Sequence, residues 1–181
     1  MSLVNKDTAI IPPCTNIPLW WINKYYSKKI KKNISKYFKV NNIIGMTMWL
    51  SSIKKSSNHI FVKHIQRGYP LKALNKKMNN KAKILRNAFE LTSKSPKVNN
   101  IYSEIFTKSL NALAFNIAAL YYNQTNKKLS INNSAIQMLS RIMIEGEQIS
   151  NYLGIFHKQN YKERIKQTLS SSIHTMSMLS D

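Results

Sequence analysis

Residues 101–122 read IYSEIFTKSLNALAFNIAALYY, and this stretch bears most directly on the fold. Ile101, Ile105, Leu110, Leu113, Ile117 and Leu120 recur at the three- and four-residue spacing of a helical face. The spacing predicts a helix of roughly six or seven turns. Phe106, Ala114, Phe115 and Ala118 lie beside that stripe, so the helix is apolar on more than one face and needs a partner surface. It is not a membrane span, because Leu110–Tyr122 is interrupted by Asn111 and Asn116 and is too short.

Downstream, a polar loop over 123–129 leads to a short helix, 133–144, with Ile136, Leu139, Ile142 and Met143 turned inward. Gly146 is expected to break the chain before a final helix, 147–169, and the residues 171–181 to fray. Upstream, Pro12, Pro13 and Pro18 exclude a helix from the first 19 residues. Trp20 and Trp21 then open a basic amphipathic stretch to Lys39, in which Tyr26, Ile30, Ile34 and Tyr37 recur among lysines. An apolar patch follows over 41–53. Ser56 and Ser57 are good caps for a helix running to Arg67, ahead of Gly68 and Pro70. Residues 71–92 show another basic helical pattern, carried by Leu71, Leu74, Met78, Ile84, Leu85 and Phe89. Sustained alternation is missing, so no substantial sheet is expected and the fold class reads as all-α.

Charge narrows the function. The 181 residues carry 28 Lys and Arg against 7 acids, a formal net charge of +21. Residues 1–100 hold 20 of those basic residues against Asp7 and Glu90 only. So large a charge opposes compaction unless a polyanion neutralises it. Arginine occurs at 67, 86, 141 and 164 alone, and lysine is a point charge suited to phosphate more than to base edges. The balance points to sequence-independent nucleic-acid binding. Cys14 stands alone, which excludes an internal disulfide and favours a reducing compartment. With Asp7 and the paired prolines near the start, no signal peptide is expected.

Nothing in the residues points to catalysis. The glycines, at 45, 68, 146 and 154, cannot form a phosphate-binding glycine loop. The acids are scattered, and no nucleophile elbow is present. His59, His64, His157 and His174 lack the spacing of a metal site, since 59 and 64 do not share a helical face. No enzyme, cofactor or metal is expected. Trp20, Trp21 and Trp49 read as core or partner anchors.

One stretch resembles a known family. Asn126-Lys127-Lys128-Leu129-Ser130-Ile131, then Ala135-Ile136-Gln137, Arg141, Ile142-Met143-Ile144 and Gly146-Glu147, follow core histone 2B without a gap. In that family the stretch runs Asn-Lys-Arg-Ser-Thr-Ile, Glu-Ile-Gln, Arg, three leucines and Pro-Gly-Glu. Ile60-Phe61-Val62-Lys63 and Pro70 resemble its first helix. The resemblance implies a histone fold of short, long and short helices with a C-terminal helix, here spanning 51–170. A basic and aromatic arm over 1–50 and a helical insertion at 71–98 in the first loop would be additions. It implies a divergent, virus-type histone that pairs with a histone 2A-like chain, joins histone 3/4-like chains in an octamer, and packages double-stranded DNA in nucleosome-like chromatin. Phosphate contacts would come from Lys127, Lys128 and Ser130 in one loop and from Lys94 and Lys97 in the other, with Lys54, Lys55, Lys63, Lys28, Lys29, Lys31 and Lys32 beside them. Ile105, Leu113, Ile117, Leu120, Ile136, Leu139 and Glu147 would face the partner chain. The location would be nucleus and chromosome, or virus factory and virion. Two other readings stay open: a structural subunit of a ribonucleoprotein such as an organellar ribosome, placed in the mitochondrion, and a peripheral membrane protein anchored by residues 20–39.

Overall fold

The computed structural model describes residues 7–12 and 42–170. The basic helix expected over 20–39, with Lys28, Lys29, Lys31 and Lys32, lies outside the described residues, as do Cys14 and the tail from 171. Among the described residues four strands come first: β1 (Ile44–Met46), β2 (Trp49–Ser56), β3 (His59–Gly68) and β4 (Leu71–Ala73). Five α-helices follow: α1 (Asn79–Glu90), α2 (Ile101–Tyr122), α3 (Asn126–Leu129), α4 (Asn133–Tyr152) and α5 (Tyr161–Ser170). The chain divides into two compact units, Met1–Ile105 and Phe106–Asp181, with the division inside α2.

Strands in the first unit correct the all-α expectation. The segment expected as a helix from Ser56 or Ser57 to Arg67 is instead the far half of a hairpin. β2 and β3 pair antiparallel, with Ile53 opposite Phe61 and Lys54 opposite Ile60. Ile60, Phe61, Val62 and Ile65 are β-branched or aromatic residues or, like Ile and Val, both bulky and apolar, and such side chains fit a pleated surface better than a helix. Ser57 and Asn58, which looked like the approach to a helix, form the turn. Register shifts at Trp49/Leu50, Ser51/Ser52 and Lys54/Ser56 break the two-residue period, which is why alternation did not show in the sequence.

The second sheet is short and buried. β1 pairs antiparallel with β4, Ile44 opposite Ala73 and Met46 opposite Leu71. Parallel bridges extend it, Ile10 to Ile43 on one side and Leu71 to Lys97 on the other. Ile44, Met46, Leu71, Ala73, Met78 and Ala82 form its core. A second cluster, Ile43, Val98, Ile101 and Ile105, seats the first turn of α2. The segment 71–92, expected to be helical throughout, therefore starts as a strand. Its helix begins only after a 3-10 turn, Lys76–Met78, whose Lys77 amide donates to Asn75 Oδ1 at 2.9 Å. Gly68, at φ 66°, turns the chain out of the hairpin where a Cβ would run into the Lys94 carbonyl.

The second unit is helical. Leu110, Ala114, Phe115, Ala118 and Ala119 of α2 pack with Leu129, Ala135, Leu139, Met143, Ile165 and Leu169. Asn132 caps α4, its side chain accepting from the Ala135 amide at 3.1 Å. Gly146 does not break α4. A Cβ there would overlap Leu110, so the missing side chain is what lets α4 lie close to α2. The helix ends instead beyond Tyr152, at Gly154 with φ 70°, and the single final helix expected over 147–169 resolves into the end of α4, a loop and α5.

Candidate functional site

Lys108 is the one charged residue between Ile105 and Asn126, midway along a helix that is otherwise apolar and amide-bearing. It is half-buried, and that burial lowers the pKa of its ammonium group from the ordinary lysine value. A lysine that is desolvated in this way exchanges its proton more readily and binds anionic or carbonyl oxygen more strongly than one in water. Two turns further on lies Asn116, about 80° around the helix from Lys108. Asn116 Oδ1 is buried with no hydrogen-bond partner among the described residues. A buried amide oxygen left unpaired costs stability, and such groups collect where a ligand or water completes them.

Beside these, two polar clusters tie α2 to the elements around it. Thr107 Oγ1 lies 2.6 Å from His157 Nδ1, and Ser150 Oγ lies 2.8 Å from His157 Nε2. Ser150 also donates to the Glu147 carbonyl at 2.9 Å. With its hydroxyl hydrogen used there, the network assigns the imidazole proton to Nε2, donating to Ser150, while Nδ1 accepts from Thr107. Burial first, and the Arg164 charge second, push the His157 pKa down from 6.5 to about 4, so the ring is neutral near pH 7. Arg164 is itself buried. Its Nη1 donates to Asn111 Oδ1 at 3.2 Å, and its Nη2 donates to Glu147 Oε1 at 2.5 Å. Thr107 and Asn111 flank Lys108 in sequence, so these bonds hold the backbone that carries it.

In the first unit, Glu104 lies buried at the first turn of α2 and takes both guanidinium nitrogens of Arg67, at 2.8 and 2.9 Å. Arg67 also lies 6.0 Å from the Trp49 ring. This pair fastens the base of the hairpin to α2.

The positions expected to contact DNA that lie among the described residues are carried by several elements of the two units. Lys54, Lys55 and Lys63 are exposed on the hairpin, Lys55 lying over the Phe61 ring at 4.9 Å. Lys94 offers its backbone carbonyl to the Tyr69 amide and Lys97 bridges Leu71, and both residues are exposed. Lys127 and Lys128 are exposed on α3, where Ser130 donates to the Lys127 carbonyl. Of the positions expected to meet a partner, Ile105 and Leu139 are buried internally and Glu147 is paired with Arg164. Leu113, Ile117 and Leu120 are exposed, and Ile136 is half-buried. The signal that could have found Lys108 was its isolation as a charge in an apolar helix. Ser150, His157 and Arg164 gave none, since they meet only through the loop between α4 and α5.

No group of three His, Cys, Asp or Glu is placed to hold a metal among the described residues. The glycines do not fit the pyrophosphate of a dinucleotide. Gly68 packs on Lys94 and Gly146 on Leu110, Gly154 ends a helix, and Gly45 lies within β1 opposite Lys72. None opens a helix after a strand as a dinucleotide-binding loop requires.

No family model and no curated protein matches the sequence. Solved structures do. D-mandelate dehydrogenase in complex with NADH superposes with a TM-score of 0.75 at 18% identity, covering 99% of this chain and 58% of that one. The ternary complex of D-mandelate dehydrogenase with NADH and anilino(oxo)acetate gives 0.76 at 18% identity, covering 99% and 56%. A Ralstonia solanacearum protein described as a ketopantoate reductase gives 0.69 at 16% identity, covering 77% and 43%. The chain thus spans little more than half of the dehydrogenase it resembles. The shared fold is a mixed α/β one of the dehydrogenase type, and it overturns the resemblance to histone 2B. With that resemblance fall the histone fold, DNA packaging, the ribonucleoprotein alternative, and the histone 2A-like and histone 3/4-like partners. The expectation of no enzyme is corrected too, since these neighbours are a dehydrogenase and a reductase. The match over 126–147 that suggested a histone is a local helix–loop–helix pattern, which α3 and α4 satisfy in a different fold.

Proposed function

We propose that this chain supplies the helical, substrate-handling part of a nicotinamide-dependent oxidoreductase of 2-oxo and 2-hydroxy acids, with Lys108 as the residue that meets the substrate oxygen. The observation that carries the reading is the fold shared with D-mandelate dehydrogenase along 99% of the chain. Mandelate is a 2-hydroxy acid and ketopantoate a 2-oxo acid, so both neighbours handle a carboxylate next to an oxygen-bearing carbon. The desolvated ammonium of Lys108 suits such a group. Protonated, it donates to the carbonyl or carboxylate oxygen, and its lowered proton affinity eases transfer of a proton to an oxygen that gains negative charge. Asn116 adds an amide on the same side of α2, and the His157 and Arg164 clusters hold the helix in place. The dinucleotide has no phosphate cradle in these residues, so another stretch of polypeptide must hold it.

Titration of the chain with anilino(oxo)acetate tests the reading. Binding is expected, and Lys108→Met is expected to weaken it about 10- to 100-fold, the worth of a charged hydrogen bond. Equal affinity of the two proteins would remove Lys108 from the site, and no binding by either would remove the site.

A further inference from the structure

Residues 52–64 are exposed without interruption, so the far half of the β2–β3 hairpin takes no part in the buried clusters of the first unit. A two-stranded ribbon is marginal in water, and this one carries bulky apolar side chains into it. Ile53, Ile60, Phe61 and Val62 are 41%, 67%, 46% and 44% exposed. The register puts them on both faces. Ile53 lies opposite Phe61 on one, while Ile60, opposite Lys54, and Val62, opposite Ser52, share the other. Lysines are interleaved with them at 54, 55 and 63, and Lys55 lies over the Phe61 ring at 4.9 Å. No acidic residue occurs between Asp7 and Glu90, so nothing in the hairpin offsets this charge.

The occupant must therefore be anionic where it meets the lysines and apolar just beneath, and it must reach both faces of the ribbon. A second copy of the hairpin would set lysines against lysines. Nucleic acid offers phosphates but no apolar layer for Ile60 and Val62. A groove in an acidic protein covers one face and leaves the other in water. An anionic lipid surface meets all three demands. Its headgroups attract the ammonium groups, its acyl chains take up the apolar side chains around the whole ribbon, and lysine stems reach back to the headgroups. The headgroup layer is also wet enough to satisfy the N–H and C=O groups on the outer edges of the two strands, which hydrocarbon is not.

We infer that the far half of the hairpin docks on an anionic lipid surface, seated in the headgroup layer and not crossing the bilayer. The inference is independent of the chemistry at Lys108. Co-sedimentation of the whole chain with phosphatidylcholine–phosphatidylserine vesicles tests it, with pure phosphatidylcholine vesicles as the control. Binding is expected to the anionic vesicles and should weaken as salt rises. The other lysines of a chain of net charge +21 also attract such vesicles, so the decisive variants hold charge constant or change where it is lost. Ile60→Ser together with Phe61→Ser alters no charge and should raise the dissociation constant about tenfold or more, from the apolar surface no longer buried. Ile131→Ser, 83% exposed and far along the sequence, should leave it unchanged. Lys54→Gln together with Lys63→Gln should weaken binding more than Lys127→Gln together with Lys128→Gln, which removes the same charge from α3. All of these side chains are exposed, and circular dichroism checks that each variant folds. A wild-type chain that ignores the anionic vesicles would overturn the inference. So would binding that the Ile60 and Phe61 changes leave intact and that duplex DNA competes away, the behaviour of lysines meeting any polyanion.

Discussion

Lys108 and His157 are the two described groups whose protonation the fold visibly alters, and both lowered pKa values make stability rise with pH, each in its own window. His157 is neutral when folded down to a pH of about 4, whereas the unfolded chain takes up a proton near 6.5. Between those values the unfolded state binds more protons, so stability falls as pH drops from 6.5 towards 4 and is flat on either side. Burial and, after it, the Arg164 charge disfavour the imidazolium. Thermal melts over that pH window should show the decline, and His157→Gln should flatten it. For Lys108 the folded pKa is again the lower one, so the burial penalty is present at neutral pH and is relieved as pH rises towards the ordinary lysine value. Lys108→Met should therefore raise the melting temperature at pH 7 while weakening oxo-acid binding, the opposition expected of a residue kept for function. An unchanged or lower melting temperature would argue for a structural lysine. Arg164 is the complementary case, a buried cation whose two Nη groups are paired inside the unit while its Nε has no hydrogen-bond partner among the described residues. Glu147→Ala leaves that charge with Asn111 alone and should cost about 3 kcal/mol in denaturant unfolding.

Gly146 shows how packing between elements decides what sequence pattern alone does not. A glycine after Ile144 and Glu145 reads as a helix break, yet α4 runs through it because Leu110 fills the space of its missing side chain. Gly146→Ala should destabilise the protein by about 1–3 kcal/mol through overpacking, and adding Leu110→Ala should recover part of that loss. Straight additivity of the two changes would contradict the contact. The long helix was legible because its periodicity is strong and uninterrupted over 22 residues. The hairpin was not, since three register shifts scramble its alternation and its turn serines double as helix caps. β1 and β4 are three residues each, too short for any period to register.

Charge misled the functional reading of the whole molecule. A net +21 suggests a polyanion, but the described lysines are spread over separate elements, the hairpin, α1 and α3 among them. Lys108 lies in a stretch of α2 with no other charged residue between Ile105 and Asn126. Sequence could show Lys108 as an isolated cation; it could not show that Thr107, Ser150 and His157 converge beside it, because a loop of no recognisable pattern brings them together. The chain shares a fold with D-mandelate dehydrogenase over 99% of its own length, and its described residues hold no phosphate-binding glycine loop. Mixed with NADH alone, the chain should show no change in nicotinamide fluorescence, and tight binding would mean that a cradle exists outside the described residues. The most direct measurement is the pKa of the Lys108 ammonium itself, read by NMR of lysine-labelled protein with and without anilino(oxo)acetate. The expected result is a value below the ordinary 10.5 in the free chain that rises when the oxo acid binds, because a bound anion favours the charged form. A Lys108 that titrates at 10.5 and ignores the oxo acid would contradict the assignment.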